Sequence, residues 1–193
     1  MDPWFAKGAV LLASVLLVAI RAPYGHRSGK VKVVESHRSR LEVILLTIAW
    51  AAFFVPLLWV ATPWFAWADY ALHPLPYAAG LGCYALGLWI FLRSHRDLGN
   101  AWSITLELRE GQQVVSQGVY ERIRHPMYLG LLLYSLGQAL LLPNWLAGPS
   151  YLVAMGLLVA LRLGPEEQMM REKFGAEYVA YCARTKRLFA GLW

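Results

Sequence analysis

The amino-acid sequence predicts an all-α, polytopic membrane protein with about five transmembrane helices. Hydrophobic residues make up 58% of the chain and charged residues 16%, whereas soluble domains are typically about 45–50% apolar and about 25% charged. The apolar residues form long runs with almost no charge, and about 20 such residues suffice for a helix to cross a bilayer. All but one of the 18 Lys and Arg residues lie outside these runs, in segments 21–40, 93–125 and 162–193.

The distribution of basic residues also predicts the orientation. Loops rich in Lys and Arg stay on the cytosolic side of a membrane. The three basic segments share one side only if the number of spans is odd, so we expect the N-terminus outside and the C-terminus in the cytosol. The net charge of +6 is then explained by topology and by anionic lipid headgroups, without a nucleic-acid partner.

The first three candidate spans and a cytosolic loop at 21–40 make up residues 1–92. The spans cover residues 4–20, 43–67 and 74–92. Pro56 and Pro63 predict a kink or an end in the second span, because proline lacks the amide hydrogen that a helix needs. Small residues in the third span allow another helix to approach closely: Gly80, Gly82 and Gly87.

The remaining residues, 93–193, are expected to form the catalytic region. It begins with a cytosolic loop, in which Gly111 and Gly118 predict a short irregular or hairpin-like cap. Two short apolar runs follow, covering 127–142 and 145–161, and the two residues between them predict a tight helical hairpin over 126–161. A C-terminal helix is predicted from Pro165, because proline suits the first helical position. Its four aromatic and Met positions share one face, which rests on the core or closes over a pocket: Met170, Phe174, Tyr178 and Tyr181.

Several common sites are not indicated by the sequence. No glycine-rich dinucleotide fingerprint follows a predicted strand, and no phosphate-binding loop occurs. The five histidines and two cysteines lack the spacing of metal ligands, so no metal site is expected.

Two charged stretches at membrane boundaries carry the functional signal. The first spans residues 118–130 and the second spans 162–167. Each has a purely structural interpretation, as an arginine-rich anchor before a span and as an arginine followed by an acidic pair that complements a helix dipole. Each also has a functional interpretation, because ionisable groups at membrane depth commonly belong to sites.

Taken together, these stretches resemble a known family. R-H-P-x-Y-x-G at 124–130 follows G-V-Y at 118–120 and precedes R-x-x-x-E-E at 162–167. F-G-x-x-Y-x-x-Y at 174–181 and L-G-x-x-W-S at 98–103 complete the ordered set. Over about residues 95–190 the chain is similar to the isoprenylcysteine carboxyl methyltransferases in their short prokaryotic form.

The resemblance implies an enzyme that uses S-adenosylmethionine and releases S-adenosylhomocysteine. It implies catalytic roles for Arg162, Glu166 and Glu167. The cofactor would be bound by Gln112, Gln113, Val114, Val115, Gly118, Val119, Tyr120, Arg124, His125, Pro126, Met127, Tyr128 and Glu166. The chain departs from the family at Gln113–Gln117, where members often carry His-x-Leu-Val-Thr, so side-chain contacts there are expected to differ.

The acceptor is expected to be a lipid, or a prenylated small molecule or protein, that enters from the bilayer. The membrane is expected to be that of a prokaryotic cell, with the site at its cytosolic face. A carboxylate acceptor is ionised at neutral pH and needs no base; Arg162 would orient it. An amine acceptor would need deprotonation by Glu166, Glu167 or His125. Two alternatives stay open: a membrane reductase of the sterol-reductase type and a non-catalytic scaffold. The sequence does not indicate the oligomeric state.

Overall fold

The computed structural model describes residues 3–99 and 102–189. These residues form helices and two short strands, in the following order: α1 (Pro3–Ser28), β1 (Val33–Ser36), α2 (Arg40–Ala61), α3 (Pro74–Leu98), β2 (Glu107–Arg109), α4 (Pro126–Leu141), α5 (Ala147–Phe174) and α6 (Ala176–Arg184). Single 3₁₀ turns lie at Ala66–Ala68 and Gly118–Tyr120.

Four of these helices are long and apolar enough to cross a membrane: α1, α2, α3 and α5. Their most apolar 18-residue windows are only 22–50% buried within the protein, so large apolar side chains such as Val15, Phe54 and Val153 remain exposed. Such surfaces are stable in lipid rather than in water, and the chain is therefore an integral membrane protein. The fifth apolar helix, α4, has 16 residues and a length of about 24 Å, less than the ~30 Å of a hydrocarbon core. Full spanning by α4 stays a prediction.

The five apolar helices alternate between two ends of the bundle. The basic segments meet at one end. There β1 pairs antiparallel with β2, and the backbones of Ile123 and Lys186 form an isolated parallel β-bridge. At the other end Lys7 donates a hydrogen bond to the carbonyl of Val60, and the backbones of Asp69 and Asn144 form an isolated antiparallel β-bridge. The three basic segments thus meet at one end of the bundle, as predicted, and the assignment of that end to the cytosolic side stays a prediction.

The close contact between α3 and α4 depends on glycine. A Cβ at Gly87 would lie 2.7 Å from the backbone nitrogen of Tyr134, and one at Gly80 would lie 2.9 Å from the carbonyl oxygen of Gly137. The helices therefore pack backbone to backbone, as the small residues predict. Gly82 is different, because nothing lies within 4 Å of a Cβ built there, and its predicted role in packing is wrong.

Two predicted element boundaries and one predicted pairing differ from the structure. Helix α1 continues to Ser28 instead of ending at residue 20. Helix α5 runs through Pro165 to Phe174, so no separate helix begins at Pro165. Helix α5 continues through Pro165 because residues on both sides of this proline form ion pairs with other elements. Arg162 pairs with α2, and Glu167 pairs with the segment before α4. The irregular alternative for 93–125 is confirmed, since most of this segment is turns and coil, but its hairpin-like alternative is wrong, because β2 pairs with β1, which lies far away in the sequence.

Candidate functional site

One cavity of about 210 Å³ lies where α1, α2 and α5 meet the chain between α3 and α4. Its apolar end lies between the helices and is lined by Leu17, Val18, Ala49, Phe53, Met155 and Leu158. Its polar end is lined by Tyr120, Arg124, His125, Tyr128, Arg162 and Glu166. The cavity therefore connects a hydrocarbon-like compartment with a charged one.

The segment before α4 is shaped by a glycine and a carboxylate. Gly118 has a φ of +63°, a region that L-residues with a side chain rarely adopt. A Cβ there would also collide with the Asp97 carboxylate, which accepts a hydrogen bond from the Val119 amide at 2.9 Å. These contacts anchor the 3₁₀ turn that places Tyr120 in the cavity wall.

The start of α4 is fixed by the C-terminal tail. The amides of Arg124 and His125 donate to the carbonyls of Lys186 and Arg187 at 2.7 and 3.0 Å. The Arg124 guanidinium also donates to the carbonyls of Cys182 and Thr185. The tail is thus joined to the segment that carries the R-H-P motif by backbone and charged hydrogen bonds.

Glu167 is the centre of a buried ion-pair cluster. Its carboxylate lies 2.9 Å from Arg124 Nε, 3.0 Å from Arg187 Nη2 and 3.4 Å from His125 Nε2. Its side chain is 3% exposed, and a carboxylate is stable at such a position only when it is paired. Glu167 therefore connects α5, the start of α4 and the tail.

Glu166, the next residue, faces the cavity instead. It is 27% exposed and accepts a hydrogen bond from the Tyr128 hydroxyl. Its carboxylate oxygens lie 3.7 Å from His125 Nδ1 and 3.7 Å from Arg162 Nε. The two adjacent acids thus have different environments, because consecutive helical residues point about 100° apart.

Arg162 is held by a residue from α2. Its Nη2 atom lies 3.3 Å from Oε1 of Glu42, and the two side chains are 8% and 3% exposed. The same Glu42 oxygen accepts a hydrogen bond from the Leu106 amide at 2.8 Å. Within the described residues, Glu42 Oε2 and Arg162 Nε are buried without a hydrogen-bond partner.

Helix α6 covers the polar end with two tyrosines, Tyr178 and Tyr181. Burial raises the pKa of Tyr181 to about 12, so its hydroxyl stays protonated and donates to the carbonyl of Tyr120 at 2.7 Å. Burial also raises the pKa of Tyr178 well above its ordinary value. The prediction of a single helix face is wrong, because the helix is interrupted at Gly175 and the four residues are divided between α5 and α6. Three of the four, Met170, Tyr178 and Tyr181, nevertheless line the cavity.

The structure brings most of the predicted site residues together. The cavity is lined by Gln112, Gln113, Val114, Val115, Tyr120, Arg124, His125, Met127, Tyr128, Arg162 and Glu166. Four others do not line it. Gly118 and Val119 shape the turn, Pro126 is the first residue of α4, and Glu167 is enclosed by its ion pairs.

Several lining or supporting residues were missed by the sequence-based prediction. Arg21 of α1 and Trp50 of α2 line the cavity, and Glu42 holds Arg162. These residues lie in the two N-terminal helices, where no family motif occurs. Arg21 and Glu42 are single charges at the edge of an apolar run, and Trp50 lies inside such a run.

Comparisons with known proteins agree with this picture. The model of the phospholipid methyltransferase family matches residues 75–177. Protein-S-isoprenylcysteine O-methyltransferase B of Arabidopsis thaliana is 33% identical over 81 residues, which are 42% of this chain and 41% of the relative. The Saccharomyces cerevisiae protein-S-isoprenylcysteine O-methyltransferase is 33% identical over 105 residues, covering 52% of this chain and 44% of the relative. The chain thus matches less than half the length of these relatives. The resemblance indicated by the motifs is confirmed.

A solved structure of a eukaryotic intramembrane Ras methyltransferase, the isoprenylcysteine carboxyl methyltransferase, has a similar fold. The TM-score is 0.53 and the sequence identity is 24%, over 81% of this chain and 54% of that chain. The similarity extends beyond the region that the family model matches, so the fold is shared by most of the described helices.

Proposed function

The chain belongs to the phospholipid methyltransferase family, and on that premise we propose that it is an integral membrane methyltransferase that uses S-adenosylmethionine. One observation carries the proposal. Two charged stretches that are distant in the sequence, 118–130 and 162–167, converge on a single cavity whose other end lies between apolar helices. Such a cavity can receive a polar cofactor from water and a lipid-tailed acceptor from the bilayer.

The polar end has the chemistry that the cofactor requires. When bound, S-adenosylmethionine supplies a methyl group activated by a positively charged sulfur. Glu166 presents a carboxylate that can accept hydrogen bonds from ribose hydroxyls or from the amino group. The segment 112–115 lines the same end and contributes backbone amides and carbonyls. We assign cofactor binding to these residues together with Tyr120, His125, Met127 and Tyr128.

The acceptor site is assigned to the junction of the two ends. Because the relatives are named as isoprenylcysteine O-methyltransferases, we propose a carboxylate acceptor that carries an isoprenoid or other lipid tail. A carboxylate is ionised at neutral pH and requires no general base, so the protein must mainly align the reacting groups. Arg162 orients the acceptor, while Glu42 holds its guanidinium in place.

Glu167 is proposed to position the site rather than to contact the reacting groups. It is enclosed by Arg124, His125 and Arg187 and does not line the cavity. Its ion pairs dock the tail against the start of α4 and thereby keep α6 over the polar end. The same end of the bundle carries the basic segments, and we propose that it faces the cytosol.

Calorimetry of the purified full chain with S-adenosylhomocysteine tests the cofactor assignment. We expect saturable binding, and the absence of binding at millimolar ligand would overturn the proposal. Glu166→Gln should weaken binding by about 1.5–3 kcal/mol, because a charge-assisted hydrogen bond is lost. Glu177→Gln, at an exposed position of α6, is the matched control and should bind as the parent does.

The role of Arg162 requires a different variant. Replacement by alanine would leave the buried Glu42 carboxylate without its cationic partner. Arg162→Lys is used instead, because it keeps the charge but loses the planar fork. Incubation with labelled S-adenosylmethionine and an S-prenylcysteine should show lower turnover and unchanged S-adenosylhomocysteine affinity. A reductase would instead bind a nicotinamide cofactor, and a scaffold would tolerate both Glu166→Gln and Arg162→Lys without loss of binding or turnover.

A further inference from the structure

Arg21 occupies the boundary between the two ends of the cavity. It lies on α1 one turn beyond Leu17, and both residues line the cavity. The guanidinium carbon lies 5.1 Å from the ring centroid of Trp102 and 5.9 Å from that of Trp50. Both distances allow a cation–π interaction, so two aromatic rings hold the guanidinium at the cavity wall.

No acidic side chain in residues 3–99 and 102–189 pairs with Arg21. The other two arginines that line the cavity have carboxylate partners, Arg162 with Glu42 and Arg124 with Glu167. Among the described residues, the groups near Arg21 are its two tryptophans, the neutral Tyr151 phenol, which favours its charge, and Arg162, which opposes it. A partly buried cation without a counter-charge is costly, and an anion that enters the cavity would remove that cost.

The surroundings of Arg21 indicate what kind of anion fits. The cavity that Arg21 lines is also lined by the apolar residues Leu17, Val18 and Phe53 and by Glu166. An anionic head group at Arg21 would leave an attached hydrocarbon chain between α1, α2 and α5. A free small anion would leave that apolar end filled only by water.

We propose that Arg21 binds the anionic head group of the lipid-tailed acceptor, a carboxylate or a phosphate, and thereby selects anionic over neutral acceptors. The inference rests on the proposed function and extends it, because it assigns acceptor recognition to the first helix. Arg21 holds the head group by charge and by its hydrogen-bond donors. Arg162, already paired with Glu42, orients the reacting oxygen.

The test uses the full chain in lipid nanodiscs and three ligands with hydrocarbon tails. They are N-acetyl-S-farnesylcysteine, its carboxamide, and dodecyl phosphate. The variants are Arg21→Gln, which removes the charge, and Arg21→Lys, which keeps it. Arg27→Gln is the matched control, since Arg27 is an exposed arginine on the same helix that does not line the cavity. Ligand binding is measured by tryptophan fluorescence quenching, and S-adenosylhomocysteine binding is measured in parallel.

We expect the parent and Arg27→Gln to bind the farnesylcysteine carboxylate about ten- to hundredfold more tightly than the carboxamide. Arg21→Gln should abolish this preference without changing carboxamide or S-adenosylhomocysteine affinity, and Arg21→Lys should keep part of it. A comparable Arg21-dependent gain with dodecyl phosphate assigns the phosphate class as well, whereas a gain with the carboxylate alone restricts the site to carboxylates.

Two results would overturn the inference. One is a parent protein that binds the carboxylate no more tightly than the carboxamide, a result that needs no variant to fold. The other is an Arg21→Gln protein that retains the full preference. Failure of the proposed function is recognised separately, because the parent would then not bind S-adenosylhomocysteine at all.

Discussion

The buried pair between Glu42 and Arg162 predicts a large effect of a small substitution. Glu42→Gln keeps nearly the same shape and can still accept the hydrogen bond from the Leu106 amide, but it removes the charge that faces Arg162 at 3.3 Å. Breaking a buried pair by removing one partner costs about 3–5 kcal/mol. Because the hydrogen bond from Leu106 is retained, we expect the free energy of unfolding to fall by the lower value of this range, about 3 kcal/mol. For a chain of this size such a loss lowers the melting temperature by about 6–12 °C.

The measurement is thermal unfolding in detergent followed by tryptophan fluorescence. Glu35→Gln is the matched control, because Glu35 on β1 is half exposed and pairs with the partly exposed His37. The double variant Glu42→Gln/Arg162→Gln should recover part of the loss, since neither charge is then left buried alone. A melting temperature of Glu42→Gln equal to that of the control would refute the reasoning. The reasoning would also be refuted if the losses of melting temperature in Glu42→Gln and in Arg162→Gln simply added in the double variant.

Further substitutions test the tail and the helix contact. Glu167→Gln should weaken S-adenosylhomocysteine binding at least tenfold, because Arg124 and the tail lose their common partner. Glu172→Gln, exposed on the same helix, should not, and equal affinities would contradict the positioning role. Gly87→Ala should lower the free energy of unfolding by about 1–3 kcal/mol through overpacking against α4, whereas Gly82→Ala should be neutral or stabilising. Equal melting temperatures would contradict the close contact.

Sequence patterns were sufficient to predict the five apolar helices, four of which are long enough to span a membrane, and the polar end of the site. Long apolar runs indicate helices because no other regular structure satisfies the backbone within lipid. The two stretches 118–130 and 162–167, which line one cavity, were identified by an ordered motif set rather than by periodicity. The short sheet could not be predicted, because β1 and β2 are each three or four residues long and lie on either side of two helices.

The boundary at Pro165 shows a limit of local signals. Proline at a first helical position and acids in the next turn are good signs of a helix start. Here the same residues lie in the interior of α5. The ion pairs of Arg162 with α2 and of Glu167 with the start of α4 outweigh the lost backbone hydrogen bond. Such tertiary pairs join residues more than 40 positions apart and leave no trace in a local pattern.

Helices α1 and α2 carry no family motif, but each contributes one charged side chain to the site. The first predicted span ended just before Arg21 and the second began just after Glu42, so both residues were left outside the spans. In the structure both belong to helices, and both side chains reach the site, where Arg21 lines the cavity and Glu42 holds Arg162. A charge at the end of an apolar run is usually assigned to the membrane interface. Helix α1 continues past its charged residue, Arg21, to Ser28. A charge inside a helix in this way faces either lipid or protein. Half-buried side chains such as Arg21 then identify helices that contribute to recognition, even where no motif is present.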